Sequence, residues 1–160
     1  MSKLTSEALW KSKKTLTADT HLHLILGSVK NMGLSLKYWQ PHFLFFGMKD
    51  NISHELTEGK FPAKLEQDKS HPVFSLEILP DHTGVRVCPC STKKPFHKGP
   101  HRYILADCRL NFTGMSLRKK TYLTERITFL MPDDAAKRLR FKGEVPLECI
   151  RTKAGSQKKV

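Results

Sequence analysis

Residues 85–108 read VRVCPCSTKKPFHKGPHRYILADC, and the reading of this stretch decides the fold. It holds three of the chain's four cysteines, two of its eight histidines and five Lys or Arg, with no acid before Asp107. It is a metal site, a redox pair, or two strands joined by a basic loop. As a metal site, Cys88, Cys90, His97 and His101 form C-x-C-x6-H-x3-H. The histidine half has a spacing that suits zinc, and thiolate with imidazole suits that ion. The C-x-C half is shorter than the usual C-x2–4-C, and Pro89 stiffens it further. If residues 85–90 are a strand, Cys88 and Cys90 fall on one face, as two small core residues also would. A redox pair lacks both C-x-x-C and a following helix. The preferred reading is two strands and a basic loop from Pro89 to Pro100; a zinc-stabilised small domain is the alternative.

Working outward, Val73, Phe74, Leu76 and Ile78 between Pro72 and Pro80 predict a strand, and residues 81–84 a turn. Val85 and Val87 open a second strand and Tyr103–Leu105 a third. Lys120–Leu130, alternating around Tyr122, Leu123, Ile127 and Phe129, suggests a fourth. Pro132, Asp133 and Asp134 suit a helix start, Lys137, Arg138 and Arg140 its end, and Gly143 its stop. Residues 145–150 read as a closing strand. Upstream, residues 5–14 suit a short helix. Leu22, Ile25, Val29 and Met32 favour a second one, ended by Gly33, over the strand that the alternation of His21, Leu22, His23 and Leu24 would suit. The aromatic run after Pro41 reads as a buried strand.

These elements predict a mainly β protein with helices (α+β): a small β-barrel over residues 61–150, a helical N-terminal extension over 1–60, and a basic tail over 151–160. At 39% hydrophobic, the 160-residue chain can bury a core. No apolar run reaches the ~20 residues that span a bilayer. The N-terminus lacks a signal peptide's apolar region, and four cysteines do not suggest a disulfide scaffold. The expectation is a cytoplasmic protein without membrane partners.

The formal net charge is +13, and it is uneven. Residues 1–80 carry 10 Lys/Arg against 8 Asp/Glu, whereas residues 81–160 carry 18 against 7. So basic a half calls for a polyanionic partner: RNA, or an acidic protein bound by an interaction module. Lys93, Lys94, Lys98 and Arg102 are interleaved with Phe96, His97, His101 and Tyr103; Arg118, Lys119 and Lys120 precede Tyr122. Cations hold phosphates and flat rings hold unstacked bases, so these seven basic residues are the expected nucleic-acid contacts. A Gly-rich phosphate loop, H-E-x-x-H and G-x-S-x-G are all absent from the sequence, and no cofactor is expected.

The order HPVFSLEIL, VRVCPCSTK, RYILADCRLNFTGMSLRKKTYLTERITFL, PDDAAKRL and KGEV resembles, distantly, the PemK/MazF-like family of SH3-like barrels. The resemblance covers residues 61–150. It implies an SH3-like barrel and a homodimeric, toxin-like endoribonuclease that cuts single-stranded RNA and is restrained by an acidic antitoxin. The family's Arg-Pro arginine and a strand-end Thr or Ser carry catalysis; His71 and Ser91 occupy those positions here. Replacing Arg by His71 exchanges a permanent phosphate clamp for a group that can take or give a proton at a ribose 2′-hydroxyl.

Overall fold

The computed structural model describes residues 24–62, 69–94 and 99–153. The helix expected at residues 5–14 lies outside them. Eight strands follow in order: β1 (Phe43–Lys49), β2 (Ser70–Ile78), β3 (Val85–Ser91), β4 (His101–Ile104), β5 (Thr121–Leu123), β6 (Phe129–Leu130), β7 (Arg140–Glu144) and β8 (Ile150–Lys153). Two helices join them, α1 (Asp50–Leu56) and α2 (Asp133–Ala136), and residues 24–28 are also helical. The strand order is β7-β1-β2-β3-β5-β4-β8, with β6 also on β3, and every pairing between these strands is antiparallel. The protein is mainly β, its sheet curled into a half-barrel.

The curl gives the sheet two buried faces. On one, Phe43, Phe45, Val73, Val85, Val87 and Phe141 pack with Leu26, Leu34 and Trp39 of the N-terminal segment and Ala136 and Leu139 after β6. Phe45 stacks on Trp39 with ring centroids 3.7 Å apart, and the indole N–H donates to the Leu34 carbonyl at 2.9 Å. On the inner face, Leu44, Phe74, Cys88, Cys90, Ile104, Leu117 and Leu123 form a second core. Alternation along a strand sends successive side chains to opposite faces, so a strand covered on both sides reads as a continuous apolar run. That is why β1 has the sequence FLFFGMK. It lies between β2 and β7, so the boundary expected at residue 60 does not separate an extension from the sheet.

Pro89 stands inside β3, where a missing N–H would ordinarily break a ladder. Here β3 changes partner, from β6 at Arg86 and Val87 to β5 at Cys90 and Ser91. The single strand expected over Lys120–Leu130 is two short ones, because the chain turns between them with Ile127 N–H on the Thr124 carbonyl.

The C-terminal helix is shorter than its charge pattern suggests. It ends after Ala136, and Arg140–Glu144 becomes β7 because Phe141 is required against Phe43 and Phe45, at 5.0 and 5.4 Å. Gly143 is therefore not a helix stop. It lies in the strand at φ +134°, where an added Cβ would come within 2.7 Å of Leu110 Cβ and 2.8 Å of the Asn111 carbonyl oxygen. The closing strand is displaced from 145–150 to Ile150–Lys153, after a 3-10 turn at Leu147–Cys149. Cys108 and Cys149 form a disulfide across 41 residues, which the cysteine spacing did not foretell. No helix among the described residues is long and apolar enough to cross a membrane.

Candidate nucleic-acid interface

β3 leaves β2 after Pro89 and pairs with β5 from Cys90 onward. A cavity of about 500 Å³ lies beside this change of partner, at the mouth of the half-barrel. Phe46, Leu110 and Leu117 supply its apolar wall, and His71, Ser91, Arg118, Lys119 and Lys142 its polar rim. The chain reaches it from β1, β2, β3, β7 and the segment before β5. A bulge in β1 between Phe45 and Met48, with Gly47 at φ +103°, adjoins Phe46. Bulges commonly re-aim side chains at functional rims.

His71 stands opposite Met48 in the β1–β2 ladder, on the side of the sheet that α1 covers. Its Nδ1 lies 2.7 Å from Oδ1 of Asp50, the first residue of α1. An ionised carboxylate can only accept, so Nδ1 donates this hydrogen bond and Nε2 is the ring nitrogen not engaged by Asp50. Phe61 packs edge-on against the imidazole at 5.5 Å. The Oγ of Ser91 accepts the Lys93 backbone N–H at 3.0 Å, which leaves the Ser91 hydroxyl proton free to donate.

The expected basic residues divide into groups. Arg118 and Lys119 line the cavity and are exposed. Lys93 and Lys94 are exposed just beyond Ser91. Lys120 lies over two rings, 4.6 Å from the centroid of Tyr103 and 5.4 Å from that of Tyr122. Arg102 does not line the cavity: its guanidinium makes a bidentate pair with Glu125, at 2.7 and 2.8 Å. That pair, above all its hydrogen bonds, raises the Arg102 pKa against the cost of burial. A guanidinium so engaged is a cross-link between β4 and the turn after β5 rather than a phosphate contact. Lys98, Phe96 and His97 lie outside the described residues.

Lys142 was missed by sequence reasoning. It lines the cavity, its ammonium lies 4.8 Å from the Phe46 ring centroid, and it donates to Asn31 Oδ1. Burial, and then the nearby charge of Arg140, push its pKa down. Its position in β7 was obscured by the helix expected there. Asp50 was also missed, since nothing local marks it as the partner of a histidine 21 residues away.

Cys88 and Cys90 are fully buried free thiols of the inner core, and burial pushes the Cys88 thiol up, away from the reactive thiolate. His101 is buried edge-on against Tyr122 at 5.4 Å. Among the described residues no group of three or more His, Cys, Asp or Glu is placed to hold a metal ion. No protein-family model, curated protein or solved structure matches the chain.

Proposed function

We propose that this chain is an SH3-like barrel of PemK/MazF type that binds single-stranded RNA at the basic mouth of its half-barrel. One observation carries this reading. The Arg118–Lys119 pair, Ser91 and His71, from three separate parts of the sequence, border one cavity, and Lys142 joins them. Three cations around an apolar-walled recess suit a phosphate flanked by a nucleoside. Counterion release from three single-strand phosphate contacts gives a slope of about −2 in log affinity against log salt. Affinity then falls roughly twentyfold between about 50 and 200 mM salt. The test is equilibrium binding of a labelled single-stranded RNA across that range, with Arg118→Ala and Lys119→Ala alongside. Each variant reduces the slope by about 0.7. A flat salt response, or slopes unchanged in both variants, refutes the reading and leaves the rim to an acidic protein partner.

The His71–Asp50 pair favours a second reading, endoribonuclease activity at the same rim. Nε2 of His71 takes the 2′-hydroxyl proton, the 2′-oxygen bonds to phosphorus and the P–O5′ bond breaks. The leaving 5′-oxygen takes a proton from a water, which recovers one from His71 Nε2, while Ser91 and the cations hold the non-bridging oxygens. His71→Ala and Ser91→Ala in the same assay test it. Cleavage lost with binding retained supports the step, because retained binding shows that the variant is folded. Binding without cleavage in the unaltered protein leaves His71 as a tie between β2 and α1.

A further inference from the structure

Ser91 does more than border the cavity. It pairs with Tyr122 of β5, Tyr122 with Tyr103 of β4, and Tyr103 with Arg151 of β8. Directly paired residues share a face of a sheet, so Ser91, Tyr122, Tyr103 and Arg151 form one row across four strands. The opposite face of these strands carries Cys90, Leu123 and Ile104 into the inner core, so the row lies on the other face, with Arg151 exposed, Ser91 and Tyr103 half-buried and Tyr122 buried between them. Lys120, just before β5, flanks the row on one side with its ammonium over the Tyr103 and Tyr122 rings, and Lys153, paired with the buried His101, flanks it on the other. At ~4.8 Å between strands the row runs about 14 Å from the cavity rim to Arg151.

The face is basic and aromatic at once. Lys93, Lys120, Arg151 and Lys153 are exposed. No ion pair among the described residues joins an acid to these four cations. Glu125 is held by Arg102, and Arg151 Nε donates to the Glu148 backbone carbonyl rather than to its carboxylate. Tyr103 is half-buried, its ring packed against Tyr122 at 5.8 Å and covered by the Lys120 ammonium. A strand of RNA arriving here can draw that ammonium onto a phosphate and leave the ring to a base.

We infer that the outer face of β3–β5–β4–β8 is an extended RNA track. It continues from the Ser91 rim, stacks a flanking base on Tyr103, and holds the following phosphates with Lys120, Arg151 and Lys153. This inference rests on the RNA-binding reading and adds to it a second, separate binding element. A fully solvated basic face would show the charges without a tyrosine row leading from the cavity.

The experiment compares a trinucleotide, which fills only the cavity, with a longer single-stranded RNA, using the full chain. Arg151→Ala/Lys153→Ala changes two exposed side chains of a terminal strand outside the core. It is expected to leave trinucleotide binding unchanged and to reduce the salt slope for the longer RNA by about 1.4. Tyr103→Ala weakens the longer RNA roughly tenfold, and Tyr103→Phe, which keeps the ring, restores it. Arg118→Ala weakens both RNAs. If the unaltered protein binds neither RNA, the RNA-binding reading fails and the track fails with it. If it binds both and the β8 double variant matches it on the longer RNA, the track is refuted while the cavity reading stands.

Discussion

Reduction of the Cys108–Cys149 bridge removes a covalent tie between the segment after β4 and the turn before β8. These segments are neighbours without it: Leu105 N–H donates to the Cys149 carbonyl at 2.9 Å, and Ile104 pairs with Ile150. Native contacts therefore survive reduction, and the loss falls mainly on the unfolded state, which regains the freedom of a 41-residue loop. The chain-entropy relation puts that at about 4 kcal/mol for such a loop. For a chain of this size, roughly 2–4 °C of melting temperature per kcal/mol converts it to a drop of about 8–16 °C. The assay is thermal unfolding followed by circular dichroism, with and without reductant, and with Cys108→Ser/Cys149→Ser under both conditions. The double variant should melt at the reduced protein's temperature and ignore reductant. Equal melting of oxidised and reduced protein would refute the loop-entropy argument. A thiol count on freshly isolated protein bears on compartment as well, because such a bridge persists where conditions are oxidising and is opened in a reducing cytosol.

Gly143→Ala places a Cβ 2.7 Å from Leu110 Cβ at a φ that L-residues rarely adopt, and should cost about 1–3 kcal/mol in denaturant unfolding. Trp39→Ala removes the ring stacked on Phe45 and should cost about 3–5 kcal/mol by the same measurement. His42 has its pKa pushed down by burial and then by Arg102, with Glu144 opposing. Its contribution to stability is therefore whole above the ordinary histidine value of 6.5 and is lost as pH falls from there through the lowered value. His42→Asn, which tolerates the local φ of +73°, should flatten that part of the stability–pH curve. Lys142, lowered by burial, should lose its charge at a lower pH than ordinary lysines. RNA affinity should then weaken on the alkaline side, and Lys142→Arg should move that loss to higher pH.

The strands β2 and β3 were legible because alternation and flanking prolines are local signals: Val73 and Phe74, or Val87 and Cys88, declare two faces whatever surrounds them. The same alternation put Cys88 and Cys90 on one face. The basic segment at Arg118–Lys120 and the candidates His71 and Ser91 were legible as residue types in a suggestive order.

Their geometry was not legible. Arg102 and Lys119 look alike in sequence, yet Glu125 engages one and the cavity takes the other. The charges on residues 137–140 suit a helix end, but the demand for Phe141 beneath Phe43 and Phe45 turns the chain into a strand. Sequence alone determined where apolar and charged groups recur along the chain, because periodicity is a property of neighbours. Only the tertiary structure decided which distant groups meet: Asp50 with His71, Cys108 with Cys149, Ser91 with the tyrosine row. Those pairings are set by how one curled sheet closes its two cores, and no single segment holds that information.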